Sequence, residues 1–128
     1  MTIITGVDFV SIPTQDLERA NAFYGEALGL HRSMHKPQHG FSEFENGTVT
    51  FSVIDPVKMG IGRFERNPNP IALHVEAVPE ARATLEERGV TFNGDTFDTG
   101  VCHMAFFSDP DGNAYMLHHR YAPRTPEA

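Results

Sequence analysis

Apolar residues recur along the chain with two different periods. Leu17, Ala20, Phe23, Tyr24, Ala27 and Leu28 fall three and four apart, which predicts a one-sided helix over residues 16–28. Asp16 stands where an N-cap belongs, and its carboxylate suits the positive end of the helix. Gly29 supplies the left-handed stop. A second helix is predicted over residues 79–88, with Pro79 in the first turn, where its missing N–H costs nothing. Its apolar stripe is Val78, Ala81 and Leu85, and Gly89 ends it. The rest of the pattern is short and alternating, which predicts strands over residues 30–34, 40–45, 48–54, 89–92, 101–107 and 114–121. Asn46-Gly47 is a hairpin signal, and Asp109-Pro110-Asp111-Gly112-Asn113 reads as a turn.

These elements repeat. Val10-Ser-Ile-Pro-Thr-Gln-Asp-Leu17 is a short alternating run followed by a helix start, and Ile71-Ala-Leu-His-Val-Glu-Ala-Val78 has the same form about 60 residues on. Each half therefore reads strand, helix, then three strands. The predicted fold class is α+β, with two tandem βαβββ modules over residues 4–55 and 70–121 in one domain spanning 1–121. Residues 56–69, rich in Gly, Pro and Asn, are the expected connector. Residues 122–128 are an expected flexible tail.

Composition narrows the function classes. The 128 residues are 40% hydrophobic and 21% charged, the make-up of a globular domain. No apolar run approaches the roughly 20 residues of a membrane span. The N-terminus lacks the basic region and apolar core of a signal peptide. One cysteine, Cys102, excludes an internal disulfide framework, so a cytoplasmic protein is expected. Ten Lys and Arg against 17 Asp and Glu give a net charge of −7, which disfavours nucleic acid as a partner. Seven histidines are a rich supply of metal ligands and proton shuttles.

Three segments together carry a resemblance: Phe9-Val-Ser-Ile-Pro-Thr-Gln-Asp-Leu-Glu-Arg-Ala-Asn-Ala-Phe-Tyr24 with Gly29-Leu30, Ala81-Arg-Ala-Thr-Leu-Glu-Glu-Arg-Gly-Val90, and Phe106-Phe-Ser-Asp-Pro-Asp-Gly-Asn113. In this order the chain resembles the vicinal oxygen chelate superfamily, which includes glyoxalase I, bleomycin-resistance proteins, fosfomycin-resistance proteins and extradiol dioxygenases. The resemblance implies that the two modules form an open half-barrel around a cavity, and that the protein pairs as a homodimer. In the metalloenzymes of the family, four cavity side chains hold a divalent metal. Those positions fall here on Phe9, on Thr50 (or Ser52 if the register slips by two), on Pro70 and on Met116. A phenyl ring and a pyrrolidine offer no donor, and a thioether suits hard or borderline ions poorly. The expectation is no metal and no cofactor at the family site.

Strand parity predicts the lining instead. Ala114, Met116 and His118 share the family's ligand face, while Tyr115, Leu117 and His119 face the other way. Thr48, Thr50 and Ser52 face inward, with Phe9 and Ser11 from the first strand and Ala72 and His74 from the second module. Phe41, Phe44, Phe64, Met104 and Phe106 are further aromatic or thioether candidates whose parity the pattern leaves open. The expected ligand-binding residues are Phe9, Ser11, Thr50, Ser52, His74, Met104, Met116 and His118. No nucleophile triad, paired carboxylate or glycine-rich phosphate loop is evident in that lining.

The function these features imply is metal-independent binding of a hydrophobic or aromatic small molecule, such as sequestration of a drug or natural product in resistance. The alternative is a glyoxalase- or dioxygenase-like lyase, isomerase or oxygenase. It would use His74 or His118 as a base, or a metal at a shifted site of His74, His103 and His118.

Overall fold

The computed structural model describes residues 1–124. The last four residues of the expected tail lie outside that range. The chain divides into two compact units, Met1–Asn67 and Pro68–Ala128.

In the first unit, strand β1 (Phe9–Pro13) leads into helix α1 (Leu17–Ala22). Asp16 caps that helix as the pattern predicts, its carboxylate accepting from the Arg19 N–H at 3.0 Å. The helix continues over Phe23–Ala27 with a wider, π-type turn, in which the Leu28 N–H reaches back five residues to the Phe23 carbonyl. Gly29, at φ +71°, stops it. Strands β2 (His31–Lys36), β3 (Phe41–Glu45) and β4 (Thr50–Ile54) follow. Between β3 and β4 the Asn46 carboxamide oxygen accepts from the Thr48 and Val49 N–H groups, so the hairpin loop holds four residues and not the two a minimal turn needs. A short helix α2 (Pro56–Met59) lies inside the expected connector. Asp55 caps it, Pro56 opens it and Gly60 closes it at φ +71°, the usual N-terminal Pro and C-terminal Gly asymmetry.

The second unit repeats this plan. It runs β5 (Ile71–His74), α3 (Val78–Glu87), β6 (Phe92–Asp98), β7 (Cys102–Ser108) and β8 (Ala114–Arg120). Strand β6 begins where the expected strand 89–92 ends. Residues 89 and 90 instead close the helix, with Gly89 at φ +90° and the Val90 N–H bonded to the Leu85 carbonyl. The turn before β8 is built on buried Asp109, whose carboxylate accepts from the N–H groups of Asp111 (3.0 Å) and Asn113 (2.9 Å) and from the Asn113 amide (2.8 Å). Gly112 takes the positive φ that this turn requires.

Both units form an open four-stranded sheet of identical topology, β1-β4-β3-β2 and β5-β8-β7-β6. In each, the first strand pairs in parallel with the last, and the other pairings are antiparallel. One face of each sheet packs on its own helix. In the first unit Ile12, Phe44, Phe51 and Val53 are buried with Ala20 and Tyr24. The Tyr24 ring lies 5.7 Å from Phe44 and 6.4 Å from Phe51. In the second unit Ala105, Phe107, Tyr115 and Leu117 are buried with Val78 and Leu85. Phe107 stacks on Tyr115 at 5.6 Å and meets Phe92 at 5.2 Å, and the Arg82 guanidinium covers Phe92 at 4.9 Å. No helix among the described residues is long and apolar enough to cross a membrane.

Two stability predictions follow from these cores. Tyr24→Ala removes a fully buried ring and should cost about 3–5 kcal/mol in a denaturant titration, as large-to-small core changes do. Asp109→Ala leaves three donors of the turn without their acceptor and should cost about 2–3 kcal/mol by the same measurement. An effect below about 0.5 kcal/mol in either would show that these groups do not hold their units together.

Candidate functional site

In each sheet, residues directly paired across strands point to the same side. The register therefore identifies the face not packed on the unit's own helix. In the first unit that face carries Phe9 opposite Thr50 and Ser11 opposite Ser52. The next strand adds Glu45 opposite Thr50 and Glu43 opposite Ser52. Phe9 is 57% exposed, Ser11 is exposed, Thr50 is half-buried and Ser52 is buried. All four expected residues of this unit thus share one face, as parity predicts.

The carboxylates were not foreseen. The lining expected from parity contains none, whereas Glu43 and Glu45 sit side by side on this face. Glu45 accepts from Ser33 Oγ at 2.5 Å and from Thr50 Oγ1 at 2.6 Å. These two hydrogen bonds, Ser33 first, hold its carboxyl below the usual range, with a lesser contribution from the nearby charge of His31. Glu45 is therefore a carboxylate at neutral pH. Glu43 has no bonded side-chain partner among the described residues. The alternation Phe41, Glu43, Glu45 against buried Ser42 and Phe44 was the available signal. Phe44 points into the helix-covered core and leaves the list of lining candidates, while Phe41 lies on the face with Glu43. A shallow cavity of about 240 Å³, lined by Asp8, Glu45, Gly47, Thr48, Val49 and Thr50, lies at the edge of this face.

In the second unit the equivalent face carries Ala72 opposite Met116 and His74 opposite His118 on β5 and β8. On β7, Met104 lies opposite His118 and Phe106 opposite Met116. The parity that the pattern left open for Met104 and Phe106 is thereby settled: both stand beside Met116 and His118, half-buried. Met104, Phe106, Met116 and His118 form one contiguous patch of two thioethers, a phenyl ring and an imidazole. His74, although in register with His118, is largely exposed. Its Nε2 lies 3.1 Å from Glu76 Oε1 and its ring 5.9 Å from that of His119. His103 is in register with His119 and lies beside Asp98 and Tyr121. The shifted set of His74, His103 and His118 is accordingly not assembled. It is His119 whose ring approaches His74 and which is in register with His103.

The two registers also align the units with each other. Val10 opposite Phe51 corresponds to Ile71 opposite Tyr115, so Met116 has Ser52, not Thr50, as its counterpart. The family metal positions then read Phe9, Ser52, Pro70 and Met116. This donor set does not fit a divalent metal: it offers one neutral hydroxyl, one thioether and no imidazole or carboxylate. Glu45, opposite Thr50 on the first unit's face, has both its oxygens engaged by Ser33 and Thr50.

A wider cavity of about 660 Å³ in the first unit lies elsewhere, among Leu17, Glu18, Asn21, Ala22, Glu26, Arg32, His35, Pro37, Asp55 and Lys58. It contains none of the expected residues. Its wall mixes three acidic with three basic side chains, and His35 within it is bonded to Ser42 at 2.8 Å. Size alone does not make it the site: its polar groups Asn21 and His35 are already engaged with each other, at 3.4 Å.

Solved structures share this fold. A member of the glyoxalase/bleomycin resistance protein/dioxygenase superfamily from Sphaerobacter thermophilus is 28% identical, with a TM-score of 0.77 over 91% of this chain and 98% of that one. TnmS3, an antibiotic binding protein from Streptomyces sp. CB03234, is 27% identical, with a TM-score of 0.76 over 94% and 99%. A lactoylglutathione lyase from Agrobacterium tumefaciens is 16% identical, with a TM-score of 0.74 over 90% and 93%, a likeness of fold alone. No curated protein matches the sequence. The family model for the Glyoxalase/Bleomycin resistance protein/Dioxygenase superfamily matches residues 6–117, nearly the whole of both repeats, and the chain belongs to that superfamily.

Proposed function

We propose that the protein reversibly binds an apolar, aromatic small molecule, without a metal at the family position, and that its role is sequestration of a drug or natural product. The observation that carries this reading is the patch of Met104, Phe106, Met116 and His118 on the helix-free face of the second sheet. Thioethers adapt to irregular ligand shapes and make favourable contacts with aromatic rings. Phe106 offers a stacking surface, and His118 one polar group to fix orientation. The likeness to an antibiotic binding protein at 27% identity supports a ligand of that class. The net charge of −7 favours a ligand that carries a positive charge. The homodimer implied by the resemblance and the cytoplasmic location expected from the single cysteine belong to the same reading.

The test is a thermal-shift screen of polycyclic aromatic natural products, amine-bearing and neutral, followed by calorimetry. A ligand at 100 times its Kd adds about 2.7 kcal/mol to the native state, enough to move the Tm by several degrees. Met116→Glu and His118→Ala should each weaken binding about tenfold or more while leaving the unliganded Tm within a few degrees. Tenfold corresponds to about 1.4 kcal/mol. Binding that survives both Met116→Glu and His118→Ala unchanged would place the ligand elsewhere and end this reading.

A further inference from the structure

Three potential metal ligands meet at one edge of the second sheet, away from the family positions 9, 52, 70 and 116. His74 ends β5, Glu76 follows two residues later, and His119 stands on the adjacent β8. One ligand atom from each lies within 4.8 Å of the others. We propose that His74, Glu76 and His119 form a site for a borderline divalent cation, of which Zn²⁺ is the representative, with water completing the coordination.

The sheet explains why the three converge. The parallel pairing of β5 with β8 sets residue 74 beside residue 118, and the Val75 N–H bonds the His118 carbonyl at 3.1 Å. That bond keeps the chain leaving β5 against β8, so Glu76 stays within reach of His119. His74 Nε2 is already 3.1 Å from Glu76 Oε1. Ligand atoms around a tetrahedral zinc at about 2.0–2.2 Å lie roughly 3.4 Å apart, so this pair needs almost no movement. The third donor has to close by about 1.5 Å at most. The His74 and Glu76 side chains are 66% and 89% exposed and are free to turn toward it, whereas His119 is held on a strand with neighbours on both sides.

A second observation concerns His119 itself. Its Nδ1 is buried and has no hydrogen-bond partner among the described residues. An imidazole nitrogen in that condition forfeits the bond it would make in water, and coordination or a trapped water would restore it. Two imidazoles with one carboxylate are the ligand types that suit zinc, copper and nickel better than magnesium or calcium. Because His74 and Glu76 face solvent, the ion would keep open positions, and it would exchange instead of being sealed in as structural zinc is. The competing state is a plain His74–Glu76 ion pair with no ion. It accounts for the 3.1 Å contact but not for the unsatisfied nitrogen of His119.

The inference concerns a different site from the proposed ligand patch, and its test does not use that ligand. Equilibrium dialysis of the whole chain against ZnCl₂, with calorimetry, should show one Zn²⁺ per chain. His74→Ala and Glu76→Gln should each weaken that binding at least tenfold, since loss of even an outer partner of a ligand costs 10–100-fold. His39→Ala, in an exposed turn, should leave it unchanged. Nitrogen-15 chemical shifts of the His74 and His119 rings should move on titration. His119→Ala is the third arm, and if it lowers folded stability the two exposed variants still decide. Binding absent from the wild type, or equal in the wild type and in His74→Ala, would overturn the proposal and assign any bound zinc to scattered surface histidines.

Discussion

Each half of this protein depends on one constraint, the parallel pairing of its first strand with its last. Parallel strands cannot be joined by a tight turn and need a crossover. Here the crossover contains a helix and two further strands, so the β1–β4 pairing joins the two ends of the unit. The same holds for β5 and β8. The helix must pack across one face for the ends to close, which is why Tyr24 with Phe44 and Phe51, and Leu85 with Phe107 and Tyr115, are buried. Closing that face also decides which residues stand on the other. The chemistry of the helix-free faces is thus a by-product of a register that the cores enforce.

The two registers are equivalent, yet the faces they expose have diverged. In the first unit the face is mostly hydroxyl and carboxylate, with Ser11, Thr50, Ser52, Glu43 and Glu45 beside the rings of Phe9 and Phe41. In the second it is thioether and aromatic, with Met104, Met116 and Phe106 around the imidazole of His118. An internal repeat with identical strand order therefore presents two surfaces suited to different kinds of group. Glu45 shows how such a face is kept in order: Ser33 and Thr50 donate to its two oxygens from the strands on either side, so the carboxylate is held in place and stays ionised.

Much of this was legible in the sequence because it rests on local signals. Asp16 and Gly29 bound the first helix, Pro79 and Gly89 frame the second, and the Asp109–Asn113 turn is written in residues whose conformational needs are specific. Alternation placed Thr50, Ser52, Met116 and His118 on their faces, since period two survives any shift of two residues. What escaped depended on pairing between strands. Met104 and Phe106 could be assigned only through their partners on β8. Glu43 and Glu45 were missed because β3 mixes polar and apolar residues on both faces, so Phe44 competed with them for the same reading. The late start of β6 has a similar origin, since the helix-ending bonds of Gly89 and Val90 took residues that look strand-like on their own. Helix α2 was hidden in a stretch whose Gly and Pro content suggests a loop, although Asp55, Pro56 and Gly60 are its cap, first turn and stop.

The change at the family metal positions has a consequence for the fold itself. Carboxylates and imidazoles gathered for a metal are costly to hold together when the ion is absent, because like charges repel and desolvated donors lose their hydrogen bonds. Folding of such a site is therefore coupled to the ion. Phe9, Ser52, Pro70 and Met116 carry no such cost. A phenyl ring and a thioether need no partner, Pro70 has no side-chain donor to satisfy, and one hydroxyl is readily accommodated. Neither sheet therefore needs an ion at these positions to offset its own side chains. The His74, Glu76 and His119 group differs in this respect as well. Its His74 and Glu76 side chains lie in water, where two donors without an ion are inexpensive, so this edge of the second sheet can keep the donor types that the family positions have lost.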